Sequence, residues 1–219
     1  ANKENVGIGR ITELVVNEQT YDEPVTVYLT KDVSLVVKVI DGDKGLPVKN
    51  AEITILDMFN QKISLGENTT DNQGKCEIKA LPEGEVHVLV TAAHFAPGYE
   101  SRVAVGGSAP KELLIPLTKG GTLEFRITDT QNEPVPGVSI TLKSLSDVYL
   151  PTQSEDSYFK QGFFGRRTDK NGYCRAELIA PALYSVTAAK VSYQPKIITA
   201  TATENQTAVY DITLEPVSR

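Results

Sequence analysis

The sequence is poor in the residues that most catalytic and metal sites require. Its 219 residues include two cysteines, two histidines, one methionine and no tryptophan. Nucleophile–base pairs and zinc-type sites draw mainly on cysteine and histidine, so this composition argues against both classes of site. No apolar run approaches the ~20 residues that cross a bilayer, and a net charge of −6 gives no hint of a nucleic-acid-binding surface. Neither membrane insertion nor a nucleic-acid partner is therefore predicted.

The overall composition is that of a globular protein. The chain is 40% hydrophobic and 23% charged, which is enough apolar sequence to form a core. A chain of this length predicts one large domain or two small ones. The polar N-terminal residues 1–5 predict no signal peptide at this end.

The chain contains two copies of one sequence unit. Residues 70–76 (TDNQGKC) match residues 168–174 (TDKNGYC) at a shift of 98, whereas Pro47 and Pro134 begin matching stretches at a shift of 87. The second copy therefore carries 11 more residues, which fall between Leu142 and Thr168. The repeat predicts a first β-sandwich repeat at 32–118 and a second at 119–219, with a longer loop at 144–167.

Residues 1–31 do not make up a whole copy. Stretches 11–16 and 25–29 are strand-like and resemble the end of a unit. Two interpretations stay open. This segment is a trailing β-hairpin of a preceding repeat, or it is an accessory hairpin that docks on the first full copy. The first is favoured because repeat arrays usually contain more units than two.

Each copy has the pattern of β-structure. Apolar residues alternate with polar ones over 35–39, 86–90 and 123–127, with turn-forming Asp, Asn and Gly between such runs. No stretch has a sustained helical period. About seven short strands in roughly 90–100 residues predict an all-β protein of tandem seven-stranded, Ig-like or prealbumin-like β-sandwiches.

Two motifs carry a family resemblance. Pro-Val-x-x-Ala/Val-x-Ile-Thr-Ile/Leu begins at Pro47 and Pro134, and Thr-Asp-x-x-Gly begins at Thr70 and Thr168. This pattern resembles the carboxypeptidase regulatory-like domain, a prealbumin-like (transthyretin-like) sandwich, and is also similar to collagen-adhesin B-type repeats. The resemblance implies a stalk, spacer or accessory module of a secreted or cell-surface protein, with the periplasm as an alternative location. Fold alone does not establish function.

The two cysteines are predicted to be buried and free. Cys76 and Cys174 occupy equivalent positions in the two copies, which should lie farther apart than the ~7 Å Cα limit for a disulfide. His87 lies out of phase with the apolar residues of its strand, so it is predicted to be solvated or at a strand edge. Neither His87 nor His94 has a catalytic partner in the pattern, and no catalytic residue is predicted.

Carboxylate-rich turns are weak candidates for a metal site. Asp41 and Asp43 resemble the start of a calcium loop, but calcium takes six to eight oxygens and this turn offers about three. Asp bonding to nearby backbone explains the same pattern, and it explains Asp71 and Asp169 as well. The prediction is no metal site and no cofactor, with Asp41 and Asp43 as the weak calcium alternative.

The longer loop of the second copy is the best candidate for binding. It is rich in the aromatic and arginine side chains that anchor interfaces: Tyr149, Tyr158, Phe159, Phe163, Phe164, Arg166 and Arg167. The alternative is that these aromatics pack on their own sheet, as long loops often do. The absence of tryptophan counts against a glycan-stacking platform.

Together these patterns predict a non-catalytic structural or spacer segment of a larger cell-surface or secreted protein. Its predicted partners are neighbouring repeats of the same parent chain. The alternative is an adhesion module that uses the loop at 144–167 to bind a surface protein or a carbohydrate. An enzyme is not predicted, because no nucleophile, base and orienting group occur together.

Overall fold

The computed structural model describes residues 2–3, 7–8, 26, 32–59, 61–63, 68–107, 111–146, 148 and 164–217. Within these residues every regular element is a β-strand, which confirms the predicted all-β class. The part of the chain that the structure describes holds no helix with the length and hydrophobicity that a membrane crossing requires. Two short strands, β1 (Asn2–Lys3) and β2 (Gly7–Ile8), pair antiparallel at the start.

The first unit comprises six strands in two sheets. They are β3 (Asp32–Asp41), β4 (Glu52–Leu56), β5 (Lys75–Pro82), β6 (Gly84–Thr91), β7 (Gly98–Val105) and β8 (Lys111–Leu117). One sheet has the order β5-β3-β8 and the other β4-β6-β7. Six strands are described in this unit, and residues 60 and 64–67, between β4 and β5, lie outside the described residues. Isolated bridges at Lys62 and Thr69 stand beside β4, where the second unit has a strand.

The second unit comprises seven strands with the same connectivity. They are β9 (Gly121–Asp129), β10 (Ser139–Ser144), β11 (Phe164–Arg167), β12 (Tyr173–Ile179), β13 (Ala182–Ala189), β14 (Lys196–Ala202) and β15 (Thr207–Leu214). The sheets have the orders β12-β9-β15 and β11-β10-β13-β14. In both units the first and last strands pair in parallel, β3 with β8 and β9 with β15, while the other pairs are antiparallel.

Each unit has its own hydrophobic core between its two sheets. The first core contains Leu35, Val37 and Val39 of β3, and the second contains Leu123 and Phe125 of β9. These residues alternate along their strands with half-buried or exposed ones, as the period of two predicts. Burying one such side chain contributes about 1.5–3 kcal/mol, so the two cores supply most of the folding free energy.

The repeat extends to backbone irregularities. Ala80 in β5 and Leu178 in β12 are 98 residues apart, and both have positive φ, 57° and 53°. Each lies at a register shift between its edge strand and the central strand of its sheet. Such bulges carry one extra residue and bend the strand. The two units therefore share this local distortion as well as their strand order.

A buried threonine closes the same turn in each unit. The Thr70 hydroxyl accepts a hydrogen bond from the Ala51 amide at 2.9 Å and donates one to the Val48 carbonyl at 2.7 Å. The Thr168 hydroxyl does the same in the second unit, with partners at 2.9 and 2.8 Å. A hydroxyl is needed because buried backbone groups without partners are costly.

We expect Thr168→Val to lower the free energy of unfolding of the second unit by about 1–3 kcal/mol, because it leaves a buried amide and a buried carbonyl without partners. Urea denaturation followed by NMR signals of each unit measures this. Thr168→Ser keeps the hydroxyl and should lose less than about 1 kcal/mol. Equal losses in both variants would contradict this role for the hydroxyl.

Candidate functional site

The candidate site lies at the β11 edge of the four-stranded sheet. β11 pairs with β10, so that Arg167 lies opposite Ser139 and Arg166 opposite Ile140. Ile140 faces the core, and Arg166 shares its face at the open side of the sandwich. There the Arg166 guanidinium donates a hydrogen bond to the Arg175 carbonyl of β12 at 2.9 Å. Arg166 therefore links the two sheets of the second unit.

Two adjoining grooves open beside this edge. One, of about 550 Å³, is lined by Gly137, Ser139, Arg167, Ala189, Lys190 and Val191. The other, of about 560 Å³, is lined by Ser139, Gly165, Arg166 and Arg167. They share Ser139 and Arg167, so together they form one continuous depression, called the arginine groove below.

The arginine groove lies on a cationic sheet. The described residues of β10, β11, β13 and β14 include no Asp or Glu, but they include Lys143, Arg166, Arg167 and Lys196. Lys190 adds a further cation at the groove itself. Lys143 and Arg167 lie on the outer face of this sheet, whereas Arg166 and Lys196 lie on the side of the core. The whole chain carries a net charge of −6, so the positive charge of this sheet opposes the overall sign. Arginine and lysine beside a hydroxyl can bind a carboxylate or phosphate, whereas nothing in this lining is a nucleophile paired with a base.

The structure brings together only part of the predicted binding set. Tyr149, Tyr158, Phe159 and Phe163 lie outside the described residues. Phe164 lies in β11, and Arg166 and Arg167 line the arginine groove. Sequence reasoning missed the groove residues Ser139, Ala189, Lys190 and Val191. They meet the arginines only through the pairing of β10 with β11 and β13, which spacing along the chain did not reveal.

The aspartates of the turns bond to their own backbone. Asp41 Oδ1 accepts hydrogen bonds from the Asp43 and Lys44 amides at 3.0 and 3.2 Å, and Oδ2 lies 3.5 Å from Lys119 Nζ. Burial acts to raise the pKa of Asp41, but these amides and the Lys119 ammonium outweigh it and lower the pKa. Asp43 is exposed. Among the described residues, no three His, Cys, Asp or Glu side chains form a group that could hold a metal ion.

Both cysteines are free, but their surroundings differ. Cys174 is buried in the second core, and burial raises the pKa of its thiol to about 11. Cys76 is only half-buried, so the prediction that it is buried is wrong. Both residues lie on edge strands. In the second unit Arg166 reaches across to the residue after Cys174.

The prediction that His87 is solvated or at an edge is also wrong. His87 is 8% exposed in the central strand β6, and its ring stacks on Tyr99 with centroids 5.8 Å apart. β7 has a register shift opposite His87, with Arg102 at φ 52°. The Arg102 amide donates to His87 Nδ1 at 3.2 Å, so the imidazole accepts a hydrogen bond where the ladder is interrupted. Its role in this geometry is structural.

We expect His87 to make the first unit less stable in mild acid. Burial lowers the pKa of His87, and Arg102 acts in the same direction, while Asp57 and Glu85 oppose them. The neutral form is therefore favoured on folding. The stability that neutral His87 gives the first unit is fully present above its ordinary pKa of about 6.5. It is lost as the pH falls through the lower pKa that His87 has in the folded state.

Urea unfolding between pH 7.5 and 5.5 measures this dependence. His87→Gln keeps an acceptor but does not titrate, so its stability should change less over this range. A wild-type slope equal to that of the variant would rule His87 out as the source.

Comparisons with known proteins agree with part of this picture. Residues 122–215 match the model of the carboxypeptidase regulatory-like domain, which confirms the expected resemblance for that stretch. No curated protein matches this chain in sequence.

The chain is also similar to solved pilin structures, at low identity. One is GBS52, the minor pilin of Streptococcus agalactiae, at 15% identity and a TM-score of 0.40, covering 85% of this chain and 97% of that chain. Another is a streptococcal ancillary pilin, at 14% identity and a TM-score of 0.38, covering 94% and 70%. A third is the shaft pilin SpaA from Lactobacillus rhamnosus GG, at 12% identity and a TM-score of 0.37, covering 87% and 99%.

Proposed function

Because residues 122–215 match the carboxypeptidase regulatory-like domain, we propose that this chain is a non-catalytic spacer segment of a larger cell-surface or secreted protein. Its domains are 32–118 and 119–219, and neighbouring repeats of the same parent chain are its partners. The observation that carries the proposal is the parallel pairing of the first and last strands of each unit.

Because the first and last strands of a unit are parallel, the chain enters the unit at one end and leaves it at the other. The chain enters the first unit at the start of β3 and leaves it at the end of β8, where Leu117 lies beside Asp41. Since these strands run the same way, entry and exit are at opposite ends of the unit. β3 has ten residues, so one unit extends the chain by roughly 33 Å. This geometry suits an end-to-end array.

The first unit holds the linker that follows β8. The Lys119 ammonium lies 3.5 Å from the centroid of the Phe95 ring and 3.5 Å from Asp41 Oδ2. The Ala96 amide donates to the Thr118 carbonyl at 2.9 Å. Lys119 and Asp41 are mostly buried, so this ion pair is less weakened by solvent than the usual surface pair.

The second unit holds the same linker from the other side. A Cβ added to Gly120 would lie 2.5 Å from the Leu178 Cα, and one added to Gly121 would lie 2.4 Å from the Thr203 carbonyl oxygen. The Asn205 amide donates to the Gly120 carbonyl at 3.2 Å. Only glycine allows this approach. Only three residues separate β8 from β9, so the linker is too short to allow large movements between the units. This supports a stiff joint.

We expect the two units to tumble as one rigid body. Residual dipolar couplings should fit one alignment tensor for both units, because the linker is held on each side. Inserting Gly-Ser-Gly-Ser after Lys119 should give two different tensors while leaving each unit folded. Separate tensors for the wild-type chain would contradict the stiff joint and with it the spacer proposal.

The arginine groove favours a second candidate function, adhesion. Its cations, together with the hydroxyl of Ser139, suit a carboxylate- or phosphate-bearing surface protein or glycan. Two residues at the end of the predicted loop 144–167, Arg166 and Arg167, line the groove. Binding there is compatible with a spacer role, since the linker and this groove use different residues.

We expect Arg167→Ala to reduce binding to acidic glycans on an array, or to partners captured from a cell-surface extract, by at least about tenfold, since a charged contact contributes roughly 1.5–3 kcal/mol. Lys170→Ala removes an exposed cation that does not line the groove and serves as the control. If both variants bind as the wild type does, or if none of the three binds, the adhesion function is excluded.

A further inference from the structure

The outward face of the sheet β11-β10-β13-β14 is rich in hydroxyl groups. Residues of these strands alternate between the second core and the outside, and Ile140 and Val186 face the core. The register then places Thr141 opposite Thr187 on the outside. The outward serines and threonines, called the hydroxyl face below, are Ser139, Thr141, Ser185, Thr187, Thr199 and Thr201. Each is exposed or half-exposed, so these hydroxyls can meet a ligand.

Two cations lie at opposite ends of the β10 row of this face. Arg167 lies opposite Ser139, and Lys143 is four residues farther along β10 than Ser139. At about 3.4 Å per residue, the two cations are roughly 14 Å apart along the strand. Both are exposed and on the outward side. None of the four strands contains Asp or Glu, so their own side chains leave the face positively charged.

The first unit has the same strands but a different outward face. The position of Arg167 is occupied there by Thr69, which bridges Glu52. The position of Lys143 is occupied by Leu56, which is buried. The shared fold therefore does not require cations or hydroxyls at these positions, and the charged hydroxyl face is a property of the second unit.

The chemistry of the face favours a sugar ligand. Backbone N–H and C=O groups within a sheet point toward neighbouring strands, so a partner on this face contacts side chains only. A serine or threonine hydroxyl both donates and accepts hydrogen bonds, as each hydroxyl of a sugar does. The outward positions of β10, β13 and β14 hold no aromatic residue, whereas aromatic side chains usually anchor protein interfaces. Positive charge adds a preference for a glycan that carries anionic groups.

We propose that the hydroxyl face binds a linear anionic glycan, which lies along β10 from the arginine groove to Lys143. Arg167 binds one carboxylate or phosphate of the glycan and Lys143 binds another, while the hydroxyls between them bond to the sugars. This inference rests on the adhesion function and names its ligand, a glycan held at two points. Charge and hydrogen bonds hold this ligand, so the lack of tryptophan does not weaken the site.

The test compares glycans of two lengths on the full chain. Galacturonate oligomers carry one carboxylate on each sugar. The dimer is too short to reach from Arg167 to Lys143, whereas the octamer spans that distance. We expect NMR titration to show several-fold tighter binding of the octamer. An octamer that binds no better than the dimer would overturn the proposal. So would equal affinity for a glutamate peptide with as many carboxylates, because the ligand would then be an acidic protein.

Substitutions separate binding along the face from general attraction between charges. Lys143→Ala should weaken binding of the octamer several-fold and leave binding of the dimer unchanged. Thr187→Val removes a hydroxyl of the face while keeping the side-chain shape, and it should also weaken binding of the octamer. Arg126→Ala removes an exposed cation from the outward side of β9, in the opposite sheet, and serves as the control. Equal losses in Lys143→Ala and Arg126→Ala, or no loss in Thr187→Val, would overturn the proposal.

Arg167→Ala distinguishes this inference from the adhesion function on which it rests. We expect this variant to bind both oligomers more weakly than the wild type. If it weakens binding of the dimer while Lys143→Ala leaves the octamer unaffected, the arginine groove binds an anion and only the longer site along β10 is overturned. If the wild type binds neither oligomer, both the adhesion function and this inference are overturned.

Discussion

The parallel pairing of the first and last strands determines how each unit connects to the rest of the chain. β3 with β8 and β9 with β15 leave the same sheet in the same direction, so entry and exit lie at opposite ends. An antiparallel closing strand would return the chain to its starting end. The position of the linker follows from this arrangement.

The contacts of the linker depend on the parallel pairing of these strands. Asp41 ends β3 beside the end of β8, so its carboxylate can hold its own turn and also bind Lys119. The bulge at Leu178 approaches Gly120 too closely for any side chain. The repeat places a comparable bulge at Ala80, next to the start of β3.

Much of the fold could be predicted from sequence because its causes are local. Alternation gave the inner faces of the strands, and Thr-Asp-x-x-Gly marked the turns closed by Thr70 and Thr168. The hydrogen bond that His87 accepts could not be predicted, because it depends on a bulge in another strand. The arginine groove was found only in part, since Ser139 and Lys190 reach it through strand pairing.

The two units have the same backbone fold but different side chains on their outer faces. The shared fold therefore does not determine the function of either unit. A period of two specifies which side faces the core and leaves the other side unconstrained. In the second unit that freedom gives a cationic, hydroxyl-rich sheet around Arg167 and Lys143. In the first it gives an apolar face around Leu56 and Leu89. The units therefore differ in these outer faces and at the β11 edge, where the second copy has 11 more residues in its sequence.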